Sequence, residues 1–434
     1  MRIKAILQNK VVKNAGWLIG GKIAQMIISF LVNIFTARYL GPSNYGVLNY
    51  GASIMAFFTP VCTLGIDSII VNELIVHKND EEKLIGSGIA LRTLTSLASI
   101  GLIQLLVMFL EPTDTLIWWV TFLQSGMLLF KAFDLIEYYY QSKLESKKTS
   151  IITMIAYFIT SAYKVFLLVT GKSVEWFAFS STLDILLVAI LYVFLYYGLE
   201  KKKVQISVRS MKQLLGKSYH FILSSVMVAL YAQMDRVMLG YMLDTTAVGL
   251  YTVGTTISNL WVFILTAIIN SIRPGIIEAK KAGNQELYEA RVTQLYAIVF
   301  WCGMCASAGL CILARPIVGI LYGSAYMGSI GAFRIVTWYT AFSYLGVARS
   351  TWMVCENTAK YEKLIAAIGA GCNAVLNWIL ISLYGICGAA AATLLTQIIT
   401  NFLVPFFIKE IRRNSELIWT SMIHPVKSLK GKVQ

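Results

Sequence analysis

Five ionisable residues stand where an apolar chain can least accommodate them: Lys22, Asp67, Arg92, Asp235 and Arg273, each inside or at the end of a long hydrophobic run. A charge in hydrocarbon is costly, so such residues face protein or water and mark ion or substrate paths. The three cations have the chemistry to hold a phosphate, whose oxygens pair strongly with Lys or Arg in a low dielectric. The two carboxylates can neutralise those cations between substrates, or carry a coupling proton or sodium ion. On this reading the preferred diphosphate ligands are Lys22, then Arg273, then Arg92. Two of the cations also have a structural reading, whereas Lys22 sits too deep in its span to snorkel comfortably. Arg273 precedes Pro274 at a helix end, from which it can snorkel to the interface, as can Arg92. For Asp235 the alternative is an ion pair with its neighbour Arg236.

The elements that must position these groups are read from composition. The chain has 434 residues, 57% hydrophobic and 14% charged, with a mean hydropathy of +0.67. Soluble domains carry about 25% charged residues, so this is a membrane protein. Apolar runs predict about twelve spans: 15–37, 47–71, 86–110, 115–137, 150–170, 177–198, 218–240, 250–272, 292–314, 329–354, 364–383 and 386–408. A bilayer admits no open sheet, so the expected class is an all-α membrane protein. Lys and Arg number 27 in the segments on the N-terminal side and three in the opposite loops and flanks, which puts both termini inside. The net charge of +15 therefore reads as attraction to anionic lipid rather than to nucleic acid. Seven cysteines within or beside apolar spans, without a second CxxC or a histidine pair, read as packing residues rather than metal ligands.

The longest charged interruption divides the spans evenly. It gives an N-terminal six-helix lobe (1–198), a basic linker (199–217), a C-terminal six-helix lobe (218–408) and a basic cytoplasmic tail (409–434). Leu40-Gly41 followed by Gly46-Val47 in the first half has an echo in Leu239-Gly240 followed by Gly249-Leu250 in the second. Six is even, so the repeat is parallel, and two such lobes are expected to enclose a central cavity. At 100° per residue Lys22, Gln25, Ser29, Asn33 and Thr36 share an arc of about 80° on the first span. Asn49, Ser53, Pro60, Thr63 and Asp67 do so on the second, and Tyr231 aligns with Asp235 on the seventh. Thr256, Asn259 and Asn270 join Arg273 on the eighth. Four stripes at matching repeat positions favour an aqueous lumen over simple polar helix contacts. In this reading Arg92 shares a face with Gly88, Ser96 and Ser99. Lys164 with Asp184 is a helix clip, and Lys131, Asp134 and Glu137 form a self-compensating surface patch.

Two motifs carry a resemblance. Asn14, Trp17, Ala37, Arg38, Leu40, Gly41, Pro42, Tyr45 and Gly46 form an N-terminal pattern, and Asp235, Arg236, Met238, Leu239, Gly240, Val248, Gly249 and Tyr251 form a second. Together they resemble the polysaccharide transporter family. These are the O-antigen and exopolysaccharide repeat-unit flippases of the multidrug/oligosaccharidyl-lipid/polysaccharide exporter superfamily. The resemblance implies translocation of an undecaprenyl-diphosphate-linked oligosaccharide across a bacterial plasma membrane by ion-coupled alternating access. It implies no cofactor beyond a coupling proton or sodium. Membrane lipids, a polysaccharide polymerase and chain-length proteins are the candidate partners. A multidrug or cation exporter of the same superfamily is the nearest rival, but the spans hold seven cations against five acids. A non-transporting scaffold gains nothing from polar stripes. An enzyme would need larger outer loops bearing clustered acids or histidines.

Overall fold

Gly41 and Pro42 break what would otherwise be one continuous helix, α1 (Lys10–Thr63). Gly41 takes φ 72° and ψ 172°, a region essentially closed to any residue with a Cβ. Pro42 lacks an N–H and so suits the first position of the arm that follows. The Leu-Gly-Pro motif is thus a mechanical corner that turns the chain between two apolar arms.

The computed structural model describes residues 10–424. Among them the regular structure is all helical, without strands. After α1 come α2 (Ile70–Val76), α3 (Glu81–Leu110), α4 (Thr115–Phe130), α5 (Leu135–Ser142), α6 (Ser146–Val169), α7 (Val174–Val193) and α8 (Val208–Met242). Next are α9 (Thr245–Asn259), α10 (Val262–Lys281), α11 (Gln285–Ile312), α12 (Ala314–Leu321), α13 (Ile330–Val336) and α14 (Tyr339–Cys355). The chain closes with α15 (Tyr361–Ile398), α16 (Val404–Phe407) and α17 (Arg412–Ile423). Nine helical stretches among the described residues are long and apolar enough to cross a membrane. The two longest, Gly20–Thr63 and Tyr361–Phe407, are divided at Gly41 and Gly385 into arms that each exceed about 30 Å at 1.5 Å per residue. The run expected at 329–354 is split instead between α13 and α14.

Burial confirms which solvent these helices meet. On α3, Arg92, Ser96 and Ser99 are at most 1% exposed, while Leu94, Leu105 and Phe109 are 63%, 65% and 83% exposed. A water-soluble helix does the reverse. Only a surrounding hydrocarbon makes an outward leucine face and an inward polar face the stable choice.

By internal contact the chain forms two units, Met1–Ala229 and Leu230–Gln434. In the first, Leu84, Ile85, Leu135, Ile136, Tyr140, Tyr192 and Leu214 belong to one buried cluster. In the second, Ile276, Tyr288, Tyr296, Leu345, Trp352 and Ile418 do so. The unit boundary falls inside α8 rather than at the basic segment 199–217, for a local reason. Gln205 N–H donates to the Glu82 carbonyl, and Ser87 Oγ donates to the Ser207 carbonyl. Gln213 and Lys217, at the start of α8, bind the buried Glu73 carboxylate at 2.7 Å. These bonds fasten the segment to the first unit.

Candidate functional site

In the first unit the chain leaves α1 through Leu64 and Gly65, both at positive φ, into a short 3-10 turn, Ile66–Ser68. A second 3-10 turn, Lys131–Asp134, interrupts the run from α4 into α5. Between the two interruptions lies a cavity of about 270 Å³. Thr59, Pro60 and Thr63 line one side, Lys131, Asp134 and Tyr138 another, and Asp67 and Ser225 complete it. Arg92, 1% exposed, donates from Nη2 to Asp67 Oδ1 at 2.5 Å, and its Nε and Nη1 have no partner. The charge of Arg92 is therefore matched by Asp67.

Lys131 and Asp134 form no ion pair and no side-chain hydrogen bond among the described residues. In a 3-10 turn, side chains three apart stack on one side. This corrects the expected surface patch: the α-helical spacing assumed for Lys131, Asp134 and Glu137 is broken by the turn, which aims the first two into the cavity. Glu137 instead accepts from the Tyr192 hydroxyl at 3.4 Å. Lys22 is exposed and lies within electrostatic range of Glu137 without reaching ion-pair distance. The expected clip is open as well, because Lys164 and Asp184 interact electrostatically but do not close an ion pair.

The second unit holds a cavity of about 350 Å³, with Tyr231, Asp235, Arg236, Asn259, Tyr339 and Gln397 on its walls. Asp235 is 8% exposed and accepts from Tyr251 Oη at 2.6 Å, from Asn377 Nδ2 at 2.6 Å and from Thr393 Oγ1. All three donors are neutral. Arg236 turns away, donating to Gln233 Oε1 at 3.0 Å and Thr255 Oγ1 at 3.1 Å, so it makes no ion pair with Asp235. Asn377 also donates to Asn373 Oδ1 at 3.0 Å, and its own Oδ1 is buried without a partner. Asn259 accepts from the Tyr339 hydroxyl at 2.5 Å. Of these donors only Tyr251 stands out in the sequence, as a motif residue; Asn377 and Thr393 on α15 carry no local sign that they meet at Asp235.

Thr63 and Asp67 share the first cavity, and Tyr231, Asn259 and Asp235 share the second. Gln25, Ser29, Asn33, Asn49, Ser53, Thr256 and Asn270 line neither. Asn33 donates to Ser29 Oγ at 3.2 Å, and Ser53, 1% exposed, donates to the Asn49 carbonyl at 2.8 Å. Arg273 and Asn270 are exposed on α10, and Arg273 makes no ion pair among the described residues.

One further arginine lies buried without an acid. Arg349, 5% exposed, donates from Nη1 to the Thr400 carbonyl at 3.3 Å and from Nη2 to Asn401 Oδ1 at 3.3 Å. Both acceptors lie on a π-helical turn, Ile399–Leu403. Such turns release carbonyls from the regular ladder.

Inverted burial and nine helical stretches, among the described residues, long and apolar enough to cross a bilayer define a multi-pass membrane protein. The chain belongs to the polysaccharide biosynthesis protein family, whose sequence profile matches residues 11–280. It is 22% identical over 402 residues to a protein named probable flippase AglR from Haloferax volcanii, covering 91% of this chain and 82% of that one. It is 21% identical over 411 residues to the capsular polysaccharide biosynthesis protein CapF of Staphylococcus aureus, covering 92% of this chain and all of the relative. The fold is similar to that of the lipid II flippase MurJ in an inward closed conformation. The TM-score is 0.72 at 15% identity, over 94% of this chain and 92% of that one.

Proposed function

We propose that this protein is a flippase that moves undecaprenyl-diphosphate-linked oligosaccharide repeat units across a bacterial plasma membrane for surface polysaccharide assembly. Both termini lie on the cytoplasmic side, where the basic segments concentrate. Family membership supports the substrate class. The observation that carries the transport reading is Asp235, a carboxylate held inside a membrane protein by three neutral donors and no cation. A buried carboxylate on a spanning helix that closes no ion pair among the described residues is retained for ion or substrate traffic.

Asp235 is the coupling group in this reading. Tyr251, Thr393, Asn373 and the unpartnered Asn377 Oδ1 add oxygens to its own two, the donor set a hard monovalent cation prefers. A proton on the carboxylate relieves the same charge. Lys22 and Arg273 are exposed and close no ion pair among the described residues, which suits them to receive a diphosphate, whereas Arg92 is engaged by Asp67.

The test is genetic and chemical. In a host lacking its own flippase for the same repeat unit, this protein should clear lipid-linked repeat units from the inner leaflet and restore surface glycan. Continued accumulation, with the protein present in the membrane, would falsify the assignment.

A further inference from the structure

The cavity of the first unit is chemically unlike a phosphate or metal site. Its charges balance: Lys131 stands against Asp134, and Asp67 is already neutralised by Arg92. A diphosphate would need a net positive wall, and a bare cation would need an acid without a lysine beside it. Yet among the described residues neither Lys131 nor Asp134 closes an ion pair or a side-chain hydrogen bond, so both keep hydrogen-bonding capacity for whatever enters the cavity. What suits both at once is a neutral group rich in hydroxyls. The two oxygens of Asp134 can accept from adjacent hydroxyls, and the Lys131 ammonium donates to a third. Tyr138 and Pro60 add apolar surface for the C–H face of a ring. A volume of about 270 Å³ has room for a pyranose ring.

We propose that this cavity is a saccharide subsite, taking one uncharged pyranose of the translocated glycan between Asp134 and Lys131. The assignment rests on the flippase reading and goes further, because it sets a preference for neutral or N-acetylated sugars over uronic acids at one position. Asp67 and Arg92 hold the wall at neutrality, and a uronate brought beside Asp134 would meet a second carboxylate.

The test is saturation-transfer NMR on the full chain in lipid nanodiscs free of sugar detergents. The probes are methyl glucoside, N-acetylglucosamine and glucuronate at millimolar concentration. Both neutral sugars should receive saturation from the protein, and glucuronate about fivefold less. Asp134→Asn should lower transfer to the neutral sugars by about fivefold, the net worth of about one ordinary hydrogen bond. Lys131→Met with Asp134→Leu, which removes both charges together, should abolish it while the protein still melts cooperatively. Absence of transfer from the native protein, undiminished transfer in Asp134→Asn, or a preference for glucuronate would each overturn the subsite. The same chains are expressed in the flippase-deficient host to test rescue of glycan export. Rescue without sugar binding sinks the subsite and leaves the flippase standing; sugar binding without rescue sinks the flippase reading and with it the assignment of the bound sugar to a translocated glycan.

Discussion

Asp235 lies on a spanning helix and Asp67 on the 3-10 turn that follows one, and their surroundings give them different work. Asp67 has a full counter-charge in Arg92, while Asp235 has only neutral donors. Breaking the first pair should therefore be a stability event. Arg92→Gln leaves the 35% exposed Asp67 carboxylate without its counter-charge and should cost about 1–2 kcal/mol, read as a lower unfolding midpoint in lipid nanodiscs, with Asp67→Asn in the same chain restoring part of it. Altering Asp235 should be a transport event. Asp235→Asn preserves shape and should leave the unfolding midpoint within about 1 kcal/mol of native. It should also make residual transport indifferent to replacing sodium with potassium and to collapsing the pH gradient. Transport that keeps its ion dependence in Asp235→Asn would remove the coupling role.

At the scale of elements, breaks matter more than helices. The Lys131–Asp134 turn and the π-helical turn at Ile399–Leu403 each interrupt a run that hydropathy reads as continuous, and Gly41 turns the chain between two such runs. Gly41→Ala meets no neighbouring atom, so its penalty is purely conformational, about 1–3 kcal/mol for a Cβ at φ 72°. Thermal unfolding should register that loss, and an unchanged midpoint would mean the corner is not strained. Gly303 makes the contrasting case: at ordinary helical φ its Cβ would lie 2.8 Å from Ala341 Cα, so Gly303→Ala must push α11 and α14 apart. The Gly41 corner was legible because Gly-Pro is a local signal. The Lys131–Asp134 turn was not, because nothing in Lys-Ala-Phe-Asp announces a change of pitch, and so its side chains were read onto the wrong surface.

At the scale of the whole molecule, the basic segments should set orientation. In a chain stripped of its cysteines, a thiol introduced at Lys202 should react with an impermeant reagent only from the cytoplasmic side. One introduced at Lys172 should react only from outside. The reverse pattern would invert the loading direction of the proposed flippase. Hydropathy alone determined that this is an all-helical membrane protein, since about twenty apolar residues in succession have one stable fate in a bilayer. The motifs around Gly41 and Asp235 were enough to place the chain near its family. What only the tertiary structure decided is partnership. Arg92 finds Asp67, Asp235 finds Asn377 and Thr393 on α15, and Arg349 finds carbonyls on a π-helical turn. These contacts join residues far apart in sequence, where periodicity along a single helix carries no information about which neighbour's polar group will be opposite.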